Sequence, residues 1–227
     1  MIRSLWIFLF ALLTYSATAQ DARLELVQNG KEGVGNAKFQ VIVDPPNTFE
    51  FTVDLSYSGS AAQSVDYTPV SSVIIAPSQV STEIEIVVTD DNVAEPTESI
   101  SVSINSVSDG SVTVNPASIS INLEDNDAPT INLTGFSITE GNASNQADFT
   151  INMTGPAQEP VILLFSTSDG TAGAGSDYTS ITNQAVTIPA NATSVLVPVT
   201  ILGDAVAEPN ESFSATISIS NINGQQI

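Results

Sequence analysis

An acidic stretch occurs twice in this chain: Thr89 to Ser99 reads T-D-D-N-V-A-E-P-T-E-S, and Leu202 to Ser212 reads L-G-D-A-V-A-E-P-N-E-S. Each copy sits between two runs in which apolar and polar residues alternate, the pattern of strands with one face on a core and one in water. The first copy therefore puts Asp90, Asp91, Glu95 and Glu98 on a loop between β-strands. The only basic residues are Arg3, Arg23, Lys31 and Lys38, there is no His, and the net charge is −21. Two carboxylates about 4 Å apart repel by roughly 4 kcal/mol at an effective dielectric of about 20. A folded loop that gathers four of them needs protonation, wide spacing or a bound cation; the expectation taken here is the cation, Ca²⁺.

The surrounding periodicity is two throughout. Phe49, Phe51, Val53, Leu55 and Tyr57 alternate with Glu50, Thr52, Asp54 and Ser56, and Ile84 to Val88, Ile100 to Ile104 and Ile119 to Leu123 repeat the pattern. With Leu24 to Val27, Lys38 to Val43 and Val73 to Ala76 these make about seven short strands in the first unit, separated by Gly, Pro, Asn and Asp. An all-β fold of immunoglobulin-like antiparallel sandwiches is the expectation, with no amphipathic helix. Hydrophobic residues make up 42% of the chain, enough, in so regular a pattern, to exclude disorder as its organising state.

A tandem repeat sets the domain organisation. Glu140-Gly141 echoes Glu32-Gly33, and Asp177-Tyr178-Thr179 echoes Asp66-Tyr67-Thr68. Val195 to Ile201 leads into the second acidic stretch and Phe213 to Ile219 leads out of it. The expected units are residues 20–127 and 128–227, joined through a very short connection at Asp127-Ala128-Pro129 that a Pro stiffens. The acidic end of the first unit then lies at the joint. The first unit's last strand, Ser118 to Leu123, would have its counterpart beyond Ile227. The second unit is therefore expected to lack that strand, as a piece of a longer protein or as a sandwich with one open edge, which invites pairing.

Residues 1–19 read as an export signal, with Arg3, the apolar run Leu5 to Leu13 and Ala17-Thr18-Ala19 as cleavage site. The apolar run is too short for a bilayer. A secreted product, extracellular or at a cell surface, is expected, with no direct insertion into a membrane once the signal is removed. Its acidity opposes binding to nucleic acid, which needs Lys and Arg. No Cys is present, so core burial and metal, not disulfides, are expected to hold the fold.

The E-G near the start, the D-Y-T after the third strand, the D-D-x-x-x-E-x-x-E loop and the closing L-E-D-N-D together resemble the Calx-β domain, a Ca²⁺-binding sandwich. The resemblance implies calcium at one end of the sandwich, held by carboxylates from several strand ends. In the first unit it implies as ligands Glu32, Asp66, Asp90, Asp91, Glu95 and Glu98 with Asp125 and Asp127, and Asn126 stands where a third closing Asp would be. In the second it implies Glu140, Asp177, Asp204, Glu208 and Glu211. Gly203 replaces the first loop Asp there and the closing acids are absent, so a weaker or empty site is expected. Ca²⁺ takes about 6–8 oxygen ligands, which a carboxylate-rich loop end supplies, whereas transition metals favour His or Cys. Asp66 and Asp177 could equally serve as turn formers, and Tyr67 and Tyr178 as packing residues.

Three functions follow. The first is a secreted, calcium-binding structural or adhesion module in which Ca²⁺ neutralises the loop acids and rigidifies the inter-domain joint; its partners are calcium ions and other extracellular proteins or surface glycans. The second is a metal-independent binding module for carbohydrate or protein. The third, remote, is a carboxylate-pair glycosidase; without His or Cys a triad or zinc water is unavailable, and the expectation is a non-enzyme.

Overall fold

A computed structural model describes residues 20–115 and 118–227; the expected export signal lies outside the described residues. In the first unit the strands are β1 (Gln20–Gln28), β2 (Gly30–Lys31), β3 (Ala37–Asp44), β4 (Phe51–Gly59), β5 (Tyr67–Thr68), β6 (Ser72–Ile75), β7 (Ser81–Val88), β8 (Glu98–Val107), β9 (Val112–Val114) and β10 (Ser118–Glu124). They form two facing sheets, in the orders β5-β7-β3-β1-β9 and β2-β10-β8-β4-β6. The alternation in the sequence explains the layers. Along β3, Ala37, Phe39, Val41 and Val43 point inward; along β8, Ile100, Val102 and Ile104 do. Glu98 lies on the inward row of β8, two residues before Ile100, so strand geometry itself carries a carboxylate to the edge of the core.

Most pairings are antiparallel, as expected, but two short parallel ones close the sandwich: β1 with β9, and β10 with β2 through Leu123 opposite Gly30. Gly30 lets the strands close here, because a Cβ would stand 2.6 Å from the Leu123 side chain and 2.7 Å from that of Val88, which would have to shift. One expected inward residue is not inward. Phe49 is 70% exposed, and β4 begins only at Phe51, opposite Ile75, where its partner β6 ends. The Phe49 carbonyl instead accepts a hydrogen bond from the Asn47 side chain, so it belongs to the preceding turn.

The second unit contains β11 (Ile131–Thr134), β12 (Asn145–Met153), β13 (Val161–Ser168), β14 (Gln184–Ile188), β15 (Ser194–Ile201) and β16 (Ser214–Asn221). Its sheets are β11-β12-β15 and β14-β13-β16, enclosing Ile151, Val161, Leu163, Phe165 and Val199. Tyr67 and Tyr178 are fully buried in their respective cores, which makes them packing residues. Among the described residues no helix is long and apolar enough to cross a membrane.

The two units touch through the first acidic loop. The Ala94 nitrogen donates to the Pro156 carbonyl at 3.0 Å and the Gln158 nitrogen to the Ala94 carbonyl at 2.9 Å, a β-bridge between units. Ala94 is completely buried within the second unit's core cluster.

Candidate metal centre

Turns and strand ends deliver the first unit's acids to one end of its sandwich. Glu32 follows β2, Asp66 precedes β5, Asp91 and Glu95 lie on the loop after β7, Glu98 opens β8, and Asp125 and Asp127 follow β10. Two groups result, Glu32-Asp91-Asp127 and Asp66-Glu95-Glu98, in each of which one carboxylate oxygen per residue lies within 4.8 Å of the others. Asp125 joins them: its Oδ2 accepts from the Glu95 nitrogen and its Oδ1 from the Asp127 nitrogen, both at 3.0 Å. Asp66 fills both roles the sequence allowed, since its Oδ2 accepts from the Ala62 nitrogen within the turn while it also faces Glu95 and Glu98. Asp90 stands apart, exposed, with its Oδ1 accepting from the Asn126 amide at 3.0 Å. Asn126 thus supplies a donor where a third closing Asp would repel Asp90.

This end is desolvated and, among the described residues, pairs with no basic side chain. Glu32, Asp66, Glu95, Glu98 and Asp125 are all buried. The nearby lysines are spent elsewhere: Lys31 pairs with Glu124 at 3.4 Å, and Lys38 with Glu83 and Glu85 at 3.0 and 3.5 Å. Burial, then the charges of Asp125 and Asp91, push the Glu32 carboxyl up to about 7. Burial, then Asp66 and Glu98, push Glu95 up to about 8. Burial and the contact with Asp66 push Glu98 up to about 7. The oxygens Glu32 Oε2, Glu98 Oε2 and Asp127 Oδ2 are buried and without a hydrogen-bond partner; leaving such a group unmatched costs about 1–3 kcal/mol or more. Orphaned carboxylate oxygens in each of the two acidic groups are donors that a hard divalent cation fits.

One further residue belongs to this end and comes from the other unit. Gln158 Nε2 donates to Glu95 Oε1 at 2.9 Å. Gln158 lies 63 residues from Glu95, outside the repeat pattern, and no feature of the sequence marks it.

The second unit builds a thinner version. Asp177, Glu208 and Glu211 converge in the same way, at the end of a cleft of about 860 Å³ that Glu140 and Asp204 also line. Asp204 Oδ1 accepts from the Val206 nitrogen at 2.6 Å and Asp177 Oδ2 from the Gly173 nitrogen at 2.6 Å. Glu208 and Glu211 are exposed, unlike Glu95 and Glu98. Desolvation, followed by Asp204 and Glu140, raises Glu208; desolvation and Asp177 raise Glu211. Gly203 has a packing reason: a Cβ there would stand 2.0 Å from the Gly141 carbonyl oxygen, so an Asp at this position is sterically barred.

The family model of the Calx-beta domain matches the chain twice, at residues 25–127 and 124–227. Among solved structures, CBD12 from CALX1.2 shares 18% identity over 86% of this chain and 79% of its own, with a TM-score of 0.42. The calcium binding domain CBD12 of CALX1.1 shares 18% over 88% and 79%, with a TM-score of 0.41. The apo form of the Calx CBD1 domain shares 20% over 47% of this chain and 98% of its own, again at 0.41. No curated protein matches the chain in sequence.

Proposed function

The chain belongs to the Calx-beta domain family, whose members are calcium-binding modules, and from that premise we propose that it is a secreted, non-catalytic structural or adhesion module that takes up Ca²⁺ at the joint between its sandwiches. The observation that carries this reading is the double use of one loop: Glu95 belongs to the acidic group while its neighbour Ala94 is embedded in the second unit and Gln158 donates to its carboxylate. Calcium held by Glu32, Asp91 and Asp127 in one group and by Asp66, Glu95 and Glu98 in the other neutralises acids that otherwise repel one another. It thereby fixes the loop on which the second unit rests. Export is supported by the pattern of residues 1–19, and affinity of roughly 10⁻⁴ to 10⁻³ M suits an external calcium supply. Other extracellular proteins or surface glycans are the partners this role implies.

Calorimetry with Ca²⁺ tests binding. The unaltered chain is expected to give heat that Asp91→Asn with Glu95→Gln removes; identical heats in both would overturn the proposal. Small-angle scattering with Ca²⁺ and with chelator tests the joint, and an unchanged profile would remove the rigidifying role while leaving binding intact.

A further inference from the structure

Asn-Gly occurs twice in this chain, at Asn29-Gly30 and at Asn223-Gly224, and the fold treats the two in opposite ways. In this dipeptide the backbone nitrogen of the second residue can reach the side-chain carboxamide of the first, because glycine puts no Cβ in the way. At Asn29 that approach is closed. Gly30 is buried in the β2–β10 pairing against the Leu123 and Val88 side chains, and Asn29 Oδ1 accepts from the Asn122 nitrogen at 2.9 Å.

At Asn223 the approach is open. Asn223 and Gly224 are exposed, and both have positive φ, 51° and 86°. They are the central residues of a type I′ turn, closed by the Gln225 nitrogen on the Ile222 carbonyl at 3.0 Å. Among the described residues the Gly224 N–H donates to no group. Asn223 Oδ1 accepts from Asn221 Nδ2 at 2.9 Å, a donor aimed at the oxygen on which charge develops when the carboxamide carbon is attacked. Ring closure has one native bond to release, from Asn223 Nδ2 to the Pro160 carbonyl at 2.8 Å.

The same turn is a strap across the joint. Gln225 is 2% exposed. Its Oε1 accepts from the Glu159 nitrogen at 2.8 Å, and its Nε2 donates to the Glu159 and Ile222 carbonyls at 3.1 and 2.9 Å. Gln225 also bridges to Pro96, and Ala94 bridges to Ala157, so the first acidic loop is held on both sides of Glu95. A Cβ on Gly224 would stand 3.6 Å from Pro96, which places the reactive dipeptide against the first unit.

We propose that Asn223 is a site of spontaneous covalent modification whose conversion releases this strap. The Gly224 nitrogen, its proton taken by hydroxide, attacks Asn223 Cγ. The N–Cγ bond forms, the Cγ–Nδ2 bond breaks, and Nδ2 leaves as ammonia with a proton from water. Water then opens the cyclic imide. Cleavage between the Gly224 nitrogen and Cγ leaves aspartate, and cleavage at the backbone carbonyl leaves isoaspartate, with the main chain running through Cγ. One water enters, one ammonia leaves, and no oxidation state changes. Both products lose the donor to Pro160 and gain a carboxylate. Isoaspartate also adds a carbon to the main chain, so the turn that sets Gln225 no longer closes. None of this chemistry rests on the calcium reading; it acts on the joint which that reading uses.

The test holds the whole chain, folded and in urea, at slightly alkaline pH and reads aspartate and isoaspartate at both Asn-Gly sites by peptide mass spectrometry. In urea the two sites should convert alike. In the folded chain Asn223 should convert at least about tenfold faster than Asn29, the factor that about 1.4 kcal/mol of local opening imposes. Amide exchange at Glu159 and Gln225 should quicken in step with conversion. Asn223→Asp, which supplies the carboxylate at once, should show that exchange from the start. Asn223→Gly tolerates positive φ and has no carboxamide, so it should keep its protection over the same time. Conversion at Asn223 no faster than at Asn29 in the folded chain would overturn the site. Full conversion with exchange at Glu159 unchanged, or protection lost as fast in Asn223→Gly as in the unaltered chain, would overturn the release of the strap.

Discussion

The two acidic loops share nearly the same letters and end in different physical situations. Glu98 is 8% exposed and Glu95 9%, while their counterparts Glu211 and Glu208 are exposed. The loops themselves do not cause this. The first is roofed by the end of β10, through Asp125, and by the second unit, through Ala157 and Gln158; among the described residues the second loop has neither cover. Acids of one motif therefore become a desolvated acidic cluster or an open acidic cleft according to what lies over them. Covering raises the cost of leaving them bare, and with it the gain from a cation.

The largest expected effect tests the cover over the core. Ile100→Ala, on β8 where it pairs with Ile121 of β10, should lower stability by about 2–5 kcal/mol, as buried Ile deletions do. Ile217→Ala, half-buried on β16, whose outer edge no described strand pairs with, should cost less than about 1 kcal/mol. Denaturant melts of both variants check this, and equal losses would end the contrast. Calcium comes next: at about 100 times its dissociation constant it should stabilise the first unit by about 2.7 kcal/mol and the second by much less. Calorimetric scans that move both units alike would contradict it.

Much of this contrast is legible in the sequence and part is not. Alternation located β3, β7, β8 and β15 because each buries one face against one core. It overreached at Phe49, whose place in a turn is set by where β6 stops. The acids were legible because the motif repeats, and Glu32, Asp66, Asp91, Glu95, Glu98 and Asp127 do meet. Asp90 was not separable from Asp91 in the sequence; its partner Asn126 is 36 residues away. Gln158 and the roof it forms depend on how two folded units meet, which no period within either unit encodes.

A smaller effect concerns repair of the thinner site. Gly203→Asp restores the missing letter of the motif, yet its Cβ falls on the Gly141 carbonyl oxygen. It should destabilise the second unit by about 1–3 kcal/mol, the range for overpacking, without strengthening calcium binding. A gain in affinity measured by calorimetry would show that the two loops differ by one acid and not by their cover. The pH response separates the units in the same sense. With Glu32 and Glu98 raised to about 7 and Glu95 to about 8, the folded calcium-free first unit binds protons that the unfolded chain has already lost. Its stability must then fall as pH rises from about 5 to 8, and calcium affinity must rise over the same window. Urea melts in chelator showing a rise in stability instead would refute these environments.

The smallest effect reads the joint directly. Gln158→Ala removes the donor to Glu95 Oε1 but leaves the backbone bridge through Ala94. A hydrogen bond to a charged group contributes about 1.5–3 kcal/mol when buried, and a contact at a surface joint sits at or below the bottom of that range. In the unaltered chain calcium at the first unit should raise the melting of the second unit slightly, because the loop that binds the ion also supports it. In Gln158→Ala that transmitted shift should shrink while the first unit's own calcium shift persists. Loss of both together would mean that Gln158 matters to the acidic cluster itself, and loss of neither would place the coupling in the Ala94 bridge alone.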